Sequence, residues 1–205
     1  MTPTYLIVPG WGGSGPSHWQ SHWQRALPTA RRVEVPDWDR PARAAWVDAI
    51  DGAIDRVVDH AIDRAGRAAG APVVVVAHSL GCVAVAHWAA RARAPVAGAL
   101  LVAPADVDQP GTPACLRGFA PVPTAPLPFP SIVVASTTDP YATLARASQL
   151  AFDWGSELTV LRDAGHINVD AGYGAWAEGR ALLDRLAALP TRRRAEPRPA
   201  GAAVS

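Results

Sequence analysis

The chain has 205 residues, 49% of them hydrophobic, and a formal net charge of +1 at pH 7. This length is enough for one domain with a sizeable core, and the balanced charge excludes a basic surface that would bind nucleic acid. The apolar stretches are no longer than strands, and residues 1–9 show neither the basic region nor the cleavage site of a signal peptide. We therefore expect a cytoplasmic protein with no membrane partner.

Lysine and cysteine limit the possible chemistry. All 19 basic residues are arginine, and the missing lysine excludes P-loop nucleotide sites, pyridoxal enzymes and hydrolases with a Ser-Lys pair. The two cysteines, Cys82 and Cys115, are too few for a disulfide framework or a zinc site. We predict neither a metal site nor a cofactor.

Short apolar strands alternate with helices along the chain. This alternation predicts a parallel sheet with right-handed crossovers in a single domain over residues 1–189. The first helix is predicted to have Ser17 as its N-cap, and the longest helix to span 41–69. Strands are predicted at 5–8, 32–35, 73–76, 97–103, 131–136 and 157–161.

Two segments differ in composition from the rest. Residues 104–130, the Pro-rich segment, contain eight prolines, and connections of this length in a compact domain are often functional. We predict that this segment lies over the site. Residues 190–205 combine three consecutive arginines with prolines and small residues, which predicts a disordered basic tail.

A candidate nucleophile follows the most apolar strand. Four valines at 73–76 lead into residues 77–81, which read A-H-S-L-G. A serine between a buried strand and a helix, with small neighbours, is typical of the G-x-S-x-G nucleophile elbow of α/β-hydrolases, although Ala77 replaces the first glycine. The alternative interpretation is that Ser79 is only a helix N-cap.

Chain order supplies partners for this serine. Functional loops of an open parallel sheet meet at the carboxyl ends of its strands. Ser79 follows the third strand, Asp139 the fifth and His166 the sixth, which is the Ser, Asp, His order of α/β-hydrolases. His166 would accept the serine proton, and Asp139 would orient its imidazole. Asp106 and Asp108 follow the fourth strand and remain alternatives to Asp139, which we favour.

The glycine-rich segment 10–15, G-W-G-G-S-G, follows the first strand. Glycines let the backbone approach a substrate closely, and the backbone N–H groups of Trp11 and Leu80 are the predicted oxyanion donors. The same segment also matches the G-x-G-x-x-G dinucleotide fingerprint, with Glu34 or Asp37 at the ribose position. A nicotinamide-dinucleotide-binding protein is therefore an alternative, although residues 16–17 delay the helix that would receive the pyrophosphate.

Four motifs together resemble the YdeN-like small serine hydrolases, a family that includes retinoblastoma-binding protein nine. They are P-G-W-G-G…S-H-W-Q-x-x-W at 9–23, H-S-L-G-C at 78–82, D-P-Y at 139–141 and G-H-I-N at 165–168. The resemblance covers residues 5 to about 189. It implies a compact α/β-hydrolase fold with no large cap domain, in which a six-stranded, mostly parallel sheet of order 2-1-3-4-5-6 has helices on both faces. It also implies the triad Ser79, Asp139 and His166, with an oxyanion segment at 9–11.

These observations predict a cofactor-independent serine hydrolase that cleaves a small ester or related acyl compound through an acyl-enzyme. Trp11, Phe119 and Tyr141 are predicted to line an apolar substrate pocket. A catalytically idle hydrolase fold that serves as a binding module is the non-enzymatic alternative. We expect a monomer or weak homodimer. We expect no binding to a pocket protein, because the L-x-C-x-E-like residues 80–84 end in alanine instead of glutamate.

Overall fold

The computed structural model describes residues 2–65, 72–91 and 96–189. Its strands form one sheet of order β2-β1-β3-β4-β5-β6, in which every neighbouring pair runs parallel. The predicted strand order and α/β-hydrolase architecture are therefore confirmed. The strands are β1 (Thr4–Val8), β2 (Ala30–Arg32), β3 (Val73–His78), β4 (Gly98–Val102), β5 (Ser131–Ser136) and β6 (Glu157–Leu161).

Five α-helices in the described part of the chain cover the sheet. Two short 3-10 turns, Ala114–Phe119 and Val169–Ala171, lie in the connections. The predicted tail at 190–205 and the end of the predicted long helix at 66–69 lie outside the described residues. The helices are α1 (Trp19–Ala26), α2 (Arg43–Ala65), α3 (Leu80–Ala89), α4 (Leu144–Asp153) and α5 (Ala177–Ala187). No helix among the described residues is both long and apolar enough to cross a membrane.

The core lies on both faces of the sheet. Strand β3 is buried along its whole length, and its side chains alternate between two apolar clusters because successive strand residues point to opposite faces. One cluster packs with α2, α3 and α4, and includes Trp46, Ile50, Val83 and Leu150. The other packs with α1 and α5, and includes Trp19, Trp23, Leu183 and Leu186. Burial on both faces explains why the valine run carries no polar alternation.

Two local predictions were wrong. Strand β2 occupies Ala30–Arg32 and not 32–35, since β1 pairs Tyr5 with Ala30 and Ile7 with Arg32. Residues 34 and 35 therefore lie beyond the end of β1. Helix α1 is capped by His18 and not by Ser17: the His18 Nδ1 accepts the Gln20 N–H, which is the hydrogen bond that a cap must supply.

Candidate active site

The turn between β3 and α3 holds Ser79 in a strained backbone conformation. Its φ is 54° and its ψ is −124°, a region that side-chain-bearing residues avoid unless the surroundings enforce it. The Ser79 N–H donates to the Val102 carbonyl of β4 at 2.9 Å. A Cβ at Gly81 would lie 2.5 Å from the Val8 carbonyl oxygen, so only glycine lets α3 begin this close to the end of β1. The turn exposes the serine hydroxyl at the carboxyl edge of the sheet.

The predicted Ser79, Asp139 and His166 side chains lie in direct hydrogen-bonding contact. The Nε2 atom of His166 is 2.9 Å from the Ser79 Oγ, and its Nδ1 atom is 3.0 Å from each carboxylate oxygen of Asp139. The histidine and aspartate side chains are only 8% and 4% exposed. The connections after β3, β5 and β6 carry the three groups, which explains how distant positions in the sequence meet.

These contacts determine the tautomer of His166. A carboxylate only accepts hydrogen bonds, so the Nδ1–H of His166 donates to Asp139 and the Nε2 lone pair faces Ser79. The Ser79 hydroxyl therefore donates to Nε2. An imidazole in this arrangement can accept the hydroxyl proton, while the carboxylate stabilises the resulting imidazolium.

The alternative carboxylates are engaged elsewhere. Asp106 pairs with the Nε atom of Arg146 at 3.3 Å, and Asp108 pairs with the same guanidinium. Asp108 also accepts the Val122 N–H. The structure thus brings Asp139, and neither alternative, against His166. Asp139 has a second hydrogen bond, from the Tyr141 N–H at 2.9 Å.

The glycine-rich segment lies directly beside the serine. A Cβ at Gly10 would lie 2.8 Å from the Ser79 Cβ and 3.4 Å from its Oγ. Within the described residues, the backbone N–H groups of Trp11 and Leu80 donate no hydrogen bond to the protein. Leu80 follows Ser79 and Trp11 follows Gly10, so the two N–H groups come from the two segments that meet at the serine. Each can donate to a negatively charged oxygen.

The three predicted pocket residues lie in different surroundings. Trp11 is 45% exposed and Tyr141 is 53% exposed, and the Tyr141 ring lies edge-on to His166 with 4.5 Å between centroids. Phe119 is fully buried and packs edge-on against Trp46 of α2. Phe119 therefore belongs to the core and does not line an open pocket, because the Pro-rich segment turns its 3-10 helix inward.

The beginning of the Pro-rich segment reaches the same edge of the sheet. The Asp106 N–H and the Gln109 side-chain amide both donate to the Tyr141 carbonyl. The segment forms an open pocket of about 500 Å³ whose walls include Val107, Gln109, Thr112 and Pro121. Ser79 and His166 are absent from this pocket wall. The segment thus borders the site through Tyr141.

Two further buried histidines lie behind the site. The Nε2–H of His78 donates to the His166 carbonyl at 2.9 Å, and burial holds the pKa of His78 well below its ordinary value. Burial, aided by the nearby charges of Arg32 and His166, lowers the pKa of His18 to about 4. Both imidazoles are therefore neutral at pH 7.

A family model described as "Serine hydrolase" matches residues 5–185. The chain belongs to this serine hydrolase family. A YdeN-like hydrolase from Pectobacterium atrosepticum superposes with a TM-score of 0.76 at 31% identity, covering 91% of this chain and 91% of that one. The predicted resemblance to YdeN-like hydrolases is confirmed.

More distant structures share the fold of this serine hydrolase. The ydeN gene product of B. subtilis superposes with a TM-score of 0.67 at 18% identity, covering 90% of this chain and 98% of that one. Propionate-bound esterase 2 of the planctomycete Thermogutta terrifontis gives 0.65 at 17% identity, covering 90% and 82%. No curated protein sequence matches the chain.

The family match does not favour the dinucleotide alternative. In this serine hydrolase Gly10 lies against Ser79, and the Gly12 N–H donates to the Trp38 carbonyl, so part of the glycine-rich backbone is already in contact with the protein.

In the described ranges, no three His, Cys, Asp or Glu side chains group in a way that could hold a metal ion.

Sequence reasoning did not identify the residues that hold these loops. The indole N–H groups of Trp19 and Trp23 donate to the carbonyls of Ile167 and Ala175, although their four-residue spacing indicates only that the two rings share one helix face. Gln20 is fully buried, and its amide donates to the carbonyls of Val8, the last residue of β1, and Val76 within β3. The S-H-W-Q-x-x-W motif was the available signal, because a buried amide and buried indoles require hydrogen-bond partners.

Proposed function

We propose that this serine hydrolase cleaves a small ester or related acyl compound through an acyl-enzyme formed on Ser79. The observation that carries the proposal is the continuous set of hydrogen bonds from Asp139 through His166 to the Ser79 hydroxyl. The family supports hydrolysis as the reaction class, and the free N–H groups beside Ser79 support acyl transfer.

In the first half of the reaction, the Ser79 Oγ attacks the substrate carbonyl carbon while His166 Nε2 takes the hydroxyl proton. The carbonyl oxygen becomes an oxyanion, which accepts hydrogen bonds from the Trp11 and Leu80 N–H groups. The tetrahedral intermediate collapses as the bond to the leaving oxygen breaks. His166 then returns the proton to the leaving alcohol, and Ser79 carries the acyl group.

Water completes the cycle by the same proton route. His166 Nε2 removes a proton from water, the resulting oxygen nucleophile attacks the acyl carbon, and the bond to Ser79 Oγ breaks. The serine recovers its proton from His166 and the carboxylic acid leaves. Asp139 orients the imidazole throughout and stabilises its charged form without itself becoming protonated.

The exposed Tyr141 and Trp11 side chains support an apolar acyl or alcohol group at the site entrance. Large apolar side chains that remain in water near a reactive group usually mark the surface that the substrate covers. We infer that the substrate is a small acyl compound whose apolar part contacts these two rings.

Labelling with a fluorophosphonate probe tests the mechanism. Wild type should be labelled, whereas Ser79→Ala and His166→Ala should not, and Ser79→Ala should lower kcat on p-nitrophenyl acetate by about 10⁴-fold or more. A folded wild-type protein that resists the probe would contradict the proposal and would favour the binding-module alternative. Equal labelling of wild type and Ser79→Ala would show that a residue other than Ser79 reacts with the probe.

The two aspartates provide a matched comparison. Asp139→Asn should lower kcat by about 10⁴-fold, because an amide at this position favours the wrong imidazole tautomer. Asp106→Asn changes a carboxylate that pairs with Arg146 and does not contact His166, so it should retain most of the activity. If Asp106→Asn lost activity and Asp139→Asn kept it, Asp106 would be the carboxylate that orients His166.

A further inference from the structure

Two successive backbone carbonyls, at His166 and at the residue after it, accept hydrogen bonds from buried side chains. The carbonyl of His166 accepts the Nε2–H of His78 at 2.9 Å, and the carbonyl of Ile167 accepts the indole N–H of Trp19 at 2.9 Å. His78 ends β3 and Trp19 begins α1. The two donors thus reach the same short segment from different elements.

The segment that they contact is conformationally strained. Gly165 has a φ of 50° and Ile167 a φ of 48°, and a β-branched residue rarely adopts such a φ. Ile167 is fully buried. Strained backbone of this kind persists only where the surrounding contacts enforce it, and it concentrates at functional sites.

The backbone N–H groups of residues 163–165, just before His166, donate hydrogen bonds to residues 136–138. The N–H groups of Asp163, Ala164 and Gly165 donate to the side-chain hydroxyl oxygens of Thr137, Ser136 and Thr138. Those hydroxyls belong to the connection that leads to Asp139. Hydrogen bonds therefore reach the residues on both sides of His166: the amides before it bond toward Asp139, and the carbonyls at and after it bond toward β3 and α1.

We propose that His78 and Trp19 are positioning residues that keep the His166 imidazole aimed at Ser79 by holding the backbone carbonyls of His166 and Ile167. This inference rests on the proposed function, since it assigns the two residues to the same site. His78 can act in this way only with a proton on Nε2, because a carbonyl only accepts hydrogen bonds.

Three variants and one control test the proposal. Trp19→Phe keeps an aromatic ring but removes the N–H donor together with part of the indole volume, a volume loss that the control below shares. His78→Leu removes the donor at similar volume. His78→Gln retains a side-chain N–H at a comparable distance and should rescue the loss. Trp154→Phe is the matched control, because Trp154 is equally buried and donates its indole N–H to the Pro123 carbonyl from the far end of α4.

Steady-state kinetics with p-nitrophenyl acetate supply the first measurement. Trp19→Phe and His78→Leu should each lower kcat by about tenfold or more with KM changed by less than about threefold, because a misplaced base slows the chemical step without altering substrate binding. His78→Gln should recover most of the loss, and Trp154→Phe should behave like wild type. Wild-type kcat in both Trp19→Phe and His78→Leu, or an equal loss in Trp154→Phe, would overturn the proposal.

Amide hydrogen exchange of residues 163–168 supplies a measurement that does not depend on activity. Exchange should accelerate about tenfold or more in Trp19→Phe and stay unchanged in Trp154→Phe, because local opening follows the loss of the fixing hydrogen bond. Unchanged exchange in Trp19→Phe would overturn the proposal even if the wild type showed no hydrolase activity. An unlabelled wild type with faster exchange in Trp19→Phe would instead support the positioning contact and contradict the proposed function. If His78→Leu does not fold, the kinetics and the amide exchange of Trp19→Phe test the proposal without it.

Discussion

Ser79 has close backbone neighbours on two sides, and each approach depends on one glycine. Gly81 allows α3 to begin against the carbonyls of Val8 and Pro9, and Gly10 allows the glycine-rich segment to touch the serine itself. Any larger residue would place a Cβ inside the van der Waals distance of these groups. The two glycines thus determine how near the proposed oxyanion donors lie to the hydroxyl.

Gly10→Ala should therefore reduce both the activity and the stability. Its Cβ would lie 2.8 Å from the Ser79 Cβ, so the segment must move away and carry the Trp11 N–H with it. We expect kcat to fall by about 100-fold, the usual effect of losing one oxyanion donor, while overpacking costs about 1–3 kcal/mol of unfolding free energy.

Kinetics and urea denaturation of Gly10→Ala check this expectation. Gly118→Ala is the control, because a Cβ there meets no atom within 4 Å and should change neither quantity appreciably. If Gly10→Ala kept the wild-type kcat, Trp11 would not be an oxyanion donor.

At the scale of elements, an ion-pair cluster joins the Pro-rich segment to α4. Arg146, in the first turn of α4, pairs with Asp106 and Asp108, and the three side chains are partly buried, between 16% and 31% exposed. The same part of the segment donates hydrogen bonds to the Tyr141 carbonyl. This cluster therefore links the segment to the connection that carries Asp139 and Tyr141.

Arg146→Met should lower the unfolding free energy by about 1–3 kcal/mol, because two partly buried carboxylates lose their shared, charged hydrogen-bond partner. Arg185→Met is the matched control. Arg185 makes a bidentate contact with Glu157 at 2.6 and 2.7 Å, but both side chains are about half exposed.

Losing an exposed pair of this kind should change the free energy of unfolding much less, because water screens the two charges. Urea denaturation of both variants measures the difference. A larger loss in Arg185→Met than in Arg146→Met would contradict the expectation that partial burial strengthens the Arg146 cluster.

At the scale of the whole molecule, buried neutral histidines make the free energy of unfolding depend on pH. Burial lowers the pKa of His18 from 6.5 to about 4, so the unfolded chain binds a proton at this residue more readily than the folded protein does. The free energy of unfolding must then decrease as the pH falls from about 6.5 to about 4. The difference in the pKa of His18 corresponds to about 3 kcal/mol, and His78 contributes in the same direction.

His18→Asn should weaken this acid dependence. The asparagine oxygen can still accept the Gln20 N–H as the cap of α1, whereas the titrating group is lost. Urea denaturation at several pH values should show a shallower decrease between about pH 6.5 and about pH 4 than in wild type. Parallel curves for the two proteins would mean that His18 does not titrate in this range.

The sequence by itself determined the alternation of strands and helices, the parallel direction of the strands and the elbow at Ser79. These features depend on local patterns: the valine run, the small residues of A-H-S-L-G, and the handedness of parallel crossovers. Chain order also placed Asp139 and His166 at the carboxyl edge beside Ser79, since parallel strands end there.

The tertiary structure alone decided which partners the buried polar groups found. The Trp19 indole bonds to a carbonyl 148 positions away, the His18 ring caps α1 in place of Ser17, and Phe119 turns into the core instead of a pocket. Helical spacing shows which side chains share a face, but it carries no information about the distant carbonyl or ring that will meet them. Such partners are determined only when the sheet brings separate loops to one edge and excludes water from between them.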